Sequence, residues 1–132
     1  MTGYWLLVLH ALGDYGLQSD WMASEKTKGA WPAFAHALTY TLPFALLFGL
    51  HWQPLLLIGG THFVIDHWRL ARYLCWAKNI LAPASYRHQW VDCQPTGYHK
   101  DKPMWLTLWL LILADNTMHL AFNGLAWYLW GS

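Results

Sequence analysis

The sequence predicts an all-α fold, a polytopic membrane protein in which a four-transmembrane-helix bundle carries a long cytoplasmic loop between helices 3 and 4. Three observations lead there. Hydrophobic residues make up 56% of the 132-residue chain and charged residues only 11%, whereas about a quarter of the residues in a soluble domain are charged. Four apolar runs, at about 4–22, 31–52, 54–73 and 104–130, reach the roughly 17 to 25 residues that a membrane helix needs. All eight lysines and arginines lie in the two segments 20–30 and 69–103. A single domain over residues 1–132 accommodates the spans, with the loop at about 74–103.

The first run lacks the basic leading residues and small-residue cleavage pattern of a signal peptide, so it is expected to stay in the mature chain. The second ends in "HWQP", His51 to Pro54, a turn short enough to force an antiparallel hairpin, with Pro54 placed to open the third helix. Gly59 and Gly60 inside that third run would let a neighbouring helix approach closely. The segment 74–103 mixes aromatic residues, prolines and bases, which fits a lid or a headgroup-contacting collar as well as a solvated loop. Because Lys26, Lys28, Arg69, Arg72, Lys78, Arg87, Lys100 and Lys102 share one side of a four-span chain, the positive-inside tendency puts both loops in the cytoplasm and both termini across the membrane. Trp5, Trp52, Trp127 and Trp130 would mark the outer interface, and Trp21, Trp31, Trp68 and Trp105 the inner one. Cys75 and Cys93 would face a reducing compartment as free thiols. Membrane lipid is the expected partner, a net charge of +1 does not point to nucleic acid, and a homo-oligomer is compatible with the pattern.

The polar residues inside the runs form a constellation: His10 with Asp14 in "HALGD", His36 in "FAHAL", His62 with Asp66 in "HFVID", and Asp115 with His119 in "DNTMH". Residues four apart share one face of a helix, so each pair can aim two donor atoms at one point, as the zinc-binding H-E-x-x-H helix does. A lone His36 reads as a hydrogen-bonded core histidine and a single pair as an intrahelical ion pair. Three pairs at matching depth read as a site. At about 1.5 Å per residue, Asp14 lies roughly 10 Å from Trp21, His36 roughly 8 Å from Trp31 and Asp115 about 15 Å from Trp105, which suits one cluster in the cytoplasmic half of a bundle.

An aspartate at the centre of a membrane helix costs about 2.5 to 3.5 kcal/mol, and no lysine or arginine lies inside the first, second or fourth run to neutralise it. Protonated histidines or metal ions remain. With three carboxylates and four neutral imidazoles, one divalent ion leaves about −1 and two leave about +1, which a bridging hydroxide neutralises. The count favours two divalent ions on His10, Asp14, His36, His62, Asp66, Asp115 and His119. Mixed nitrogen and oxygen ligands suit zinc, manganese or iron, with zinc first. Gln18, Asn116 and Asn123 are candidates to support those ligands. Arg69 is a candidate to hold an anionic headgroup or to snorkel to the interface. His51, His67, His88 and His99 fall at loops or run ends, where packing is their expected role, and a second site from His88, Cys93 and His99 is the weaker alternative.

The motifs "HALGDYGLQSDWMA", "HALTYT", "THFVIDHWRLARYL" and "DNTMHL" resemble the successive helix motifs of the DUF3307 family, small bacterial and phage integral membrane proteins of uncharacterised activity. The likeness covers nearly the whole chain. It implies membership and the importance of these motifs, and no particular reaction; with the charge pattern above, the expected location is the bacterial cytoplasmic (inner) membrane, multi-pass, with both termini periplasmic. More distantly, the HxxxD spacing resembles that of intramembrane metal-dependent hydrolases. The function expected is a metal-dependent hydrolase acting on a lipid or other amphiphile, phosphate-containing ones included, from the cytoplasmic leaflet, with Asp14 or Asp66 as its catalytic base. Two rivals stand beside it: a proton or metal-ion conduit, and a non-catalytic phage or bacterial membrane interaction protein stapled by a structural metal cluster.

Overall fold

A computed structural model describes residues 2–131, and every regular element among them is helical. Helix α1 covers Thr2–Ala11 and passes into a π-helical turn, Leu12–Gly16. Gly13 lets that turn press on its neighbour, because a Cβ there would lie 2.8 Å from the Tyr40 carbonyl oxygen. Helix α2 (Asp20–Glu25) is capped by Ser19, whose Oγ accepts the Met22 N–H at 3.3 Å. Helix α3 (Ala30–Thr41) tolerates Pro32 in its first turn, where no intrahelical partner is lost. Pro43, lacking an N–H, ends it, and the chain continues as a 3₁₀ turn (Leu42–Phe44) and the short α4 (Ala45–Phe48), closed by Gly49 at φ +60°. Helix α5 (Trp52–His67) carries Pro54 in its first turn and is followed by Arg69 in the left-handed region, φ 52° and ψ 49°. Then come α6 (Leu70–Ala77), 3₁₀ turns at Lys78–Leu81, Ala84–Tyr86 and Trp90–Asp92, and α7 (Met104–Trp130).

These breaks overturn the four-span bundle. Helices α1, α3 and α5 have 10, 12 and 16 residues, about 15, 18 and 24 Å of helix, short of the roughly 30 Å hydrocarbon core. Among the described residues only α7, with 27, is long and apolar enough to cross a membrane. Hydropathy averages over the three local breakers: the glycine-flanked π turn, Pro43, and Arg69 at positive φ.

The chain forms two compact units, Met1–Trp68 with His119–Ser132, and Arg69–Met118. In the first, Leu6, Leu9, Tyr40, Phe44, Phe48, Ile58 and Ala126 build the core. Helices α3 and α5 run antiparallel, His36 meeting His62 and Thr41 meeting Gly59. A Cβ on Gly59 would come within 2.7 Å of Thr41 Oγ1, the close approach expected there, while Gly60 has nothing within 4 Å. In the second unit, Ala71, Cys75 and Ala114 pack with Tyr98, Leu111 and Met118. Gly97, at φ +83°, presses on the Arg72 carbonyl and on Cys75. Cys75 and Cys93 are buried free thiols.

Candidate metal centre

Four side chains of the first unit converge: Asp14 from the π turn, His36 from α3, and His62 with Asp66 from α5. Nε2 of His36 lies 3.1 Å from Asp14 Oδ1 and 3.2 Å from Asp66 Oδ2. Nε2 of His62 lies 3.8 and 3.3 Å from the same two oxygens and 2.9 Å from Nε2 of His36. Donors held about 2.0 to 2.2 Å from a common ion are themselves about 3.0 to 3.5 Å apart. All four residues are buried, their donor atoms lie within 4.8 Å of one another, and the set could hold a metal ion. Nδ1 of both His36 and His62 is buried without a hydrogen-bond partner, so each ring meets the cluster through Nε2.

The carboxylates are engaged unequally. Asp66 Oδ1 lies 3.1 Å from His119 Nε2, and its Oδ2 also accepts from Lys26 Nζ at 2.6 Å. His67 Nδ1 donates in turn to the Lys26 carbonyl at 3.0 Å. Asp14 Oδ2 is 4.0 Å from His10 Nε2. The π turn accounts for that distance: it widens the helix locally and swings Asp14 off the face of His10, toward His36. His10 Nδ1 is 2.9 Å from the Tyr40 hydroxyl, which accepts from Asn123 Nδ2 at 2.7 Å. The Tyr40 ring stacks on His62, 3.6 Å between centroids and 15° between planes.

Burial pushes the Asp66 carboxyl up, but hydrogen bonds from His119, His36 and His62 outweigh it and hold the group well below its usual range. Asp14 shows the same balance: burial raises it, and the His36 hydrogen bond together with the charges of His62 and Lys26 more than offsets that. For His36 burial lowers the value, yet the hydrogen bonds to Asp14 and Asp66 leave it raised. For His62 burial prevails over Asp66, and the ring is pulled down to about 4.

Of the other residues the sequence singles out, Asn123 and His119 are buried on α7. Asp115 and Asn116, earlier on α7, are half-buried in the second unit. Gln18 lies in the first unit with its Oε1 buried and unpartnered. Arg69 belongs to the second unit, its Nη2 donating to the Pro95 carbonyl at 2.8 Å. His88 and His99 pack ring to ring, centroids 4.2 Å apart. Sequence reasoning passed over two groups. Tyr40 stands four residues after His36, the spacing that marked the His/Asp pairs, and Lys26 sits in the short connection between two motif-bearing segments.

Fold and site define an all-helical protein whose interior gathers histidines and aspartates able to bind a metal ion. The chain belongs to the family described as "Protein of unknown function (DUF3307)", whose family model matches residues 4–122 and so takes in every residue of the cluster except Asn123. No curated protein and no solved structure matches it.

Proposed function

We propose that the protein is a divalent-metal-dependent hydrolase that acts on an amphiphilic substrate at a membrane. The observation that supports this most is the convergence of two imidazole Nε2 atoms and two carboxylate oxygens, all buried, from three separate segments. A bound divalent ion would lower the pKa of a water and polarise an acyl or phosphoryl oxygen. The chain's own groups divide the remaining work. His36 and His62 present neutral nitrogen donors, while Asp66, gripped on both oxygens, fixes the geometry. Asp14, less heavily engaged, is the better placed of the two aspartates to take a proton. Four protein donors complete the tetrahedron of a zinc ion, whereas six-coordinate manganese or iron keeps two positions for water and substrate. We therefore assign one ion to this set, and activity to manganese or iron.

The exterior of the same unit supports the amphiphilic substrate. Leu46 and Leu50 are 85% and 90% exposed, and an apolar groove of about 580 Å³ lies along α3 and α5, lined by Leu38, Leu55, Leu56 and Phe63 among others. Helix α7 adds a segment able to lie in lipid.

Elemental analysis of the purified protein should find about one metal ion per chain, lost in His62→Ala and Asp66→Ala. Turnover of a panel of lipid esters and phosphoesters should return with manganese or iron and not with zinc. Wild type that takes up no divalent metal, or that binds manganese or iron and turns over nothing in the panel, overturns the proposal. One observation favours a second reading, a proton relay: Lys26, Asp66, His36 and Asp14 form an unbroken string of hydrogen-bonding contacts, with His62 joined to it at His36. Proton flux into liposomes without substrate turnover would select it.

A further inference from the structure

We propose that Lys26, together with a metal ion held by Asp14, His36, His62 and Asp66, forms a subsite for a tetrahedral phosphoryl oxyanion, which makes the substrate a phosphoester. The inference rests on the metal-dependent reading above and adds the substrate's chemistry. Lys26 is an uncommon lysine: its side chain is 17% exposed and its ammonium lies 2.6 Å from an oxygen of Asp66 that faces both cluster imidazoles. The other lysine of this unit, Lys28, is 65% exposed and pairs with Glu25. Arg69, the cation the sequence puts forward for an anionic group, is tied to Pro95 in the other unit. Lys26 is therefore the one Lys or Arg at the cluster among the described residues.

Charge and position then point to an anion. A divalent ion on the four donors would stand beside the Lys26 ammonium in a buried setting, where two neighbouring cations are costly unless an anion lies between them. The ammonium and the ion would share Asp66 Oδ2 and repel at short range. An oxyanion lying across both cations removes the repulsion. Phosphoryl groups do this well, having several equivalent oxygens to share between a metal and a lysine while one carries the ester. Lys26 is also more exposed than the Asp14, His36, His62 and Asp66 side chains, so a ligand arriving from outside meets it first.

The test uses the full chain loaded with Mn²⁺, with inorganic phosphate as the probe followed by ³¹P line broadening, and with phosphatidylcholine vesicles with and without phosphatidic acid as the lipid arm. Wild type should bind phosphate, Lys26→Met and Lys26→Gln should bind it about tenfold more weakly or worse, and Lys26→Arg should stay within about threefold, as loss or retention of a charged hydrogen bond requires. At saturating Mn²⁺ all four proteins should hold the same one ion per chain, which separates anion binding from damage to the fold. Lys26-dependent binding in either arm supports the subsite and names its source, free phosphate or lipid. Manganese bound without phosphate binding, or phosphate binding indifferent to Lys26, overturns this inference alone. Failure to bind manganese overturns the metal-dependent reading and this inference with it.

Discussion

The two units solve opposite problems. The first buries His10, Asp14, His36, His62, Asp66, His119 and Asn123, and groups so buried must find most of their partners in one another. The second unit buries small apolar residues and two thiols, and sets its bases over aromatic faces, Arg72 over Tyr73 and Trp90, Lys78 over Tyr98 and Lys102 over Tyr86. A polar interior is a poor way to stabilise a helical bundle, since apolar residues of like volume hold it as well or better. Where a chain keeps one, the chemistry of the cluster is the reason to look for. The comparison breaks hardest at Asp66. Asp66→Ala strips the partner from a mostly buried ammonium and from three imidazoles, so it should destabilise the protein by about 3 to 5 kcal/mol in denaturant titrations and abolish metal retention.

Gly13 tests the same interior through the backbone. Gly13→Ala places a methyl against the carbonyl oxygen and Cδ2 of Tyr40, forcing the π turn away from α3 and Asp14 away from His36. The expected cost is about 1 to 3 kcal/mol, with weaker metal binding. Alanine at Gly60, which has open space around it, should leave metal binding unchanged, and equal effects at both positions would refute the close-approach argument.

That pair of glycines also marks how far the sequence could be read. The histidines and aspartates were legible because polar groups inside apolar runs are expensive and must be answered by something. Their convergence followed from helical spacing for His62 with Asp66, yet His10 with Asp14 shows the limit, since a π turn lies between them and spacing alone assumes an α-helix. Pro43 was in plain view as a breaker, but a hydropathy run of the required length absorbs a single proline. Nothing in a sequence marks Arg69 as left-handed. Lys26 escaped because a lysine in a connection satisfies the positive-inside pattern without any inward role, and Tyr40 because an aromatic in an apolar run reads as core.

Acid sharpens the contrast by a smaller amount. Burial holds His62 at about 4, below the roughly 6.5 of an unfolded histidine. Between those values the unfolded chain binds a proton that the folded one does not, so the metal-free protein should lose stability as pH falls from about 6.5 to 4, at up to about 1.4 kcal/mol per unit for the one proton. His36 acts in the opposite sense: its contribution is complete below the unfolded value and is lost as pH rises through its raised folded value. Asp14 and Asp66, both depressed, contribute above the unfolded carboxylate range and lose that contribution as pH falls through their folded values. Denaturation midpoints of chelator-treated protein across this range should show the decline, and His62→Gln should flatten it. An unchanged slope in that variant would place the titration elsewhere.

The smallest effects belong to the surface of the second unit. Arg72→Ala removes a guanidinium stacked over two rings and its hydrogen bond to the Gln94 carbonyl. That arrangement is worth about 1 kcal/mol at a partly exposed site, and metal content should not change. Lys100 and Asp92 form an ion pair of 3.0 Å that depresses the Asp92 carboxyl, a contact whose geometry is as good as several in the cluster. It lies in water, where screening and side-chain entropy cancel most of the attraction. Asp92→Asn should therefore leave the unfolding midpoint and bound metal where they are, while Asp14→Asn, which removes one carboxylate charge from the buried set, shifts both. If the two substitutions behaved alike, distance alone and not burial would govern these contacts, and the division between a polar interior that acts and a polar surface that dissolves would fail.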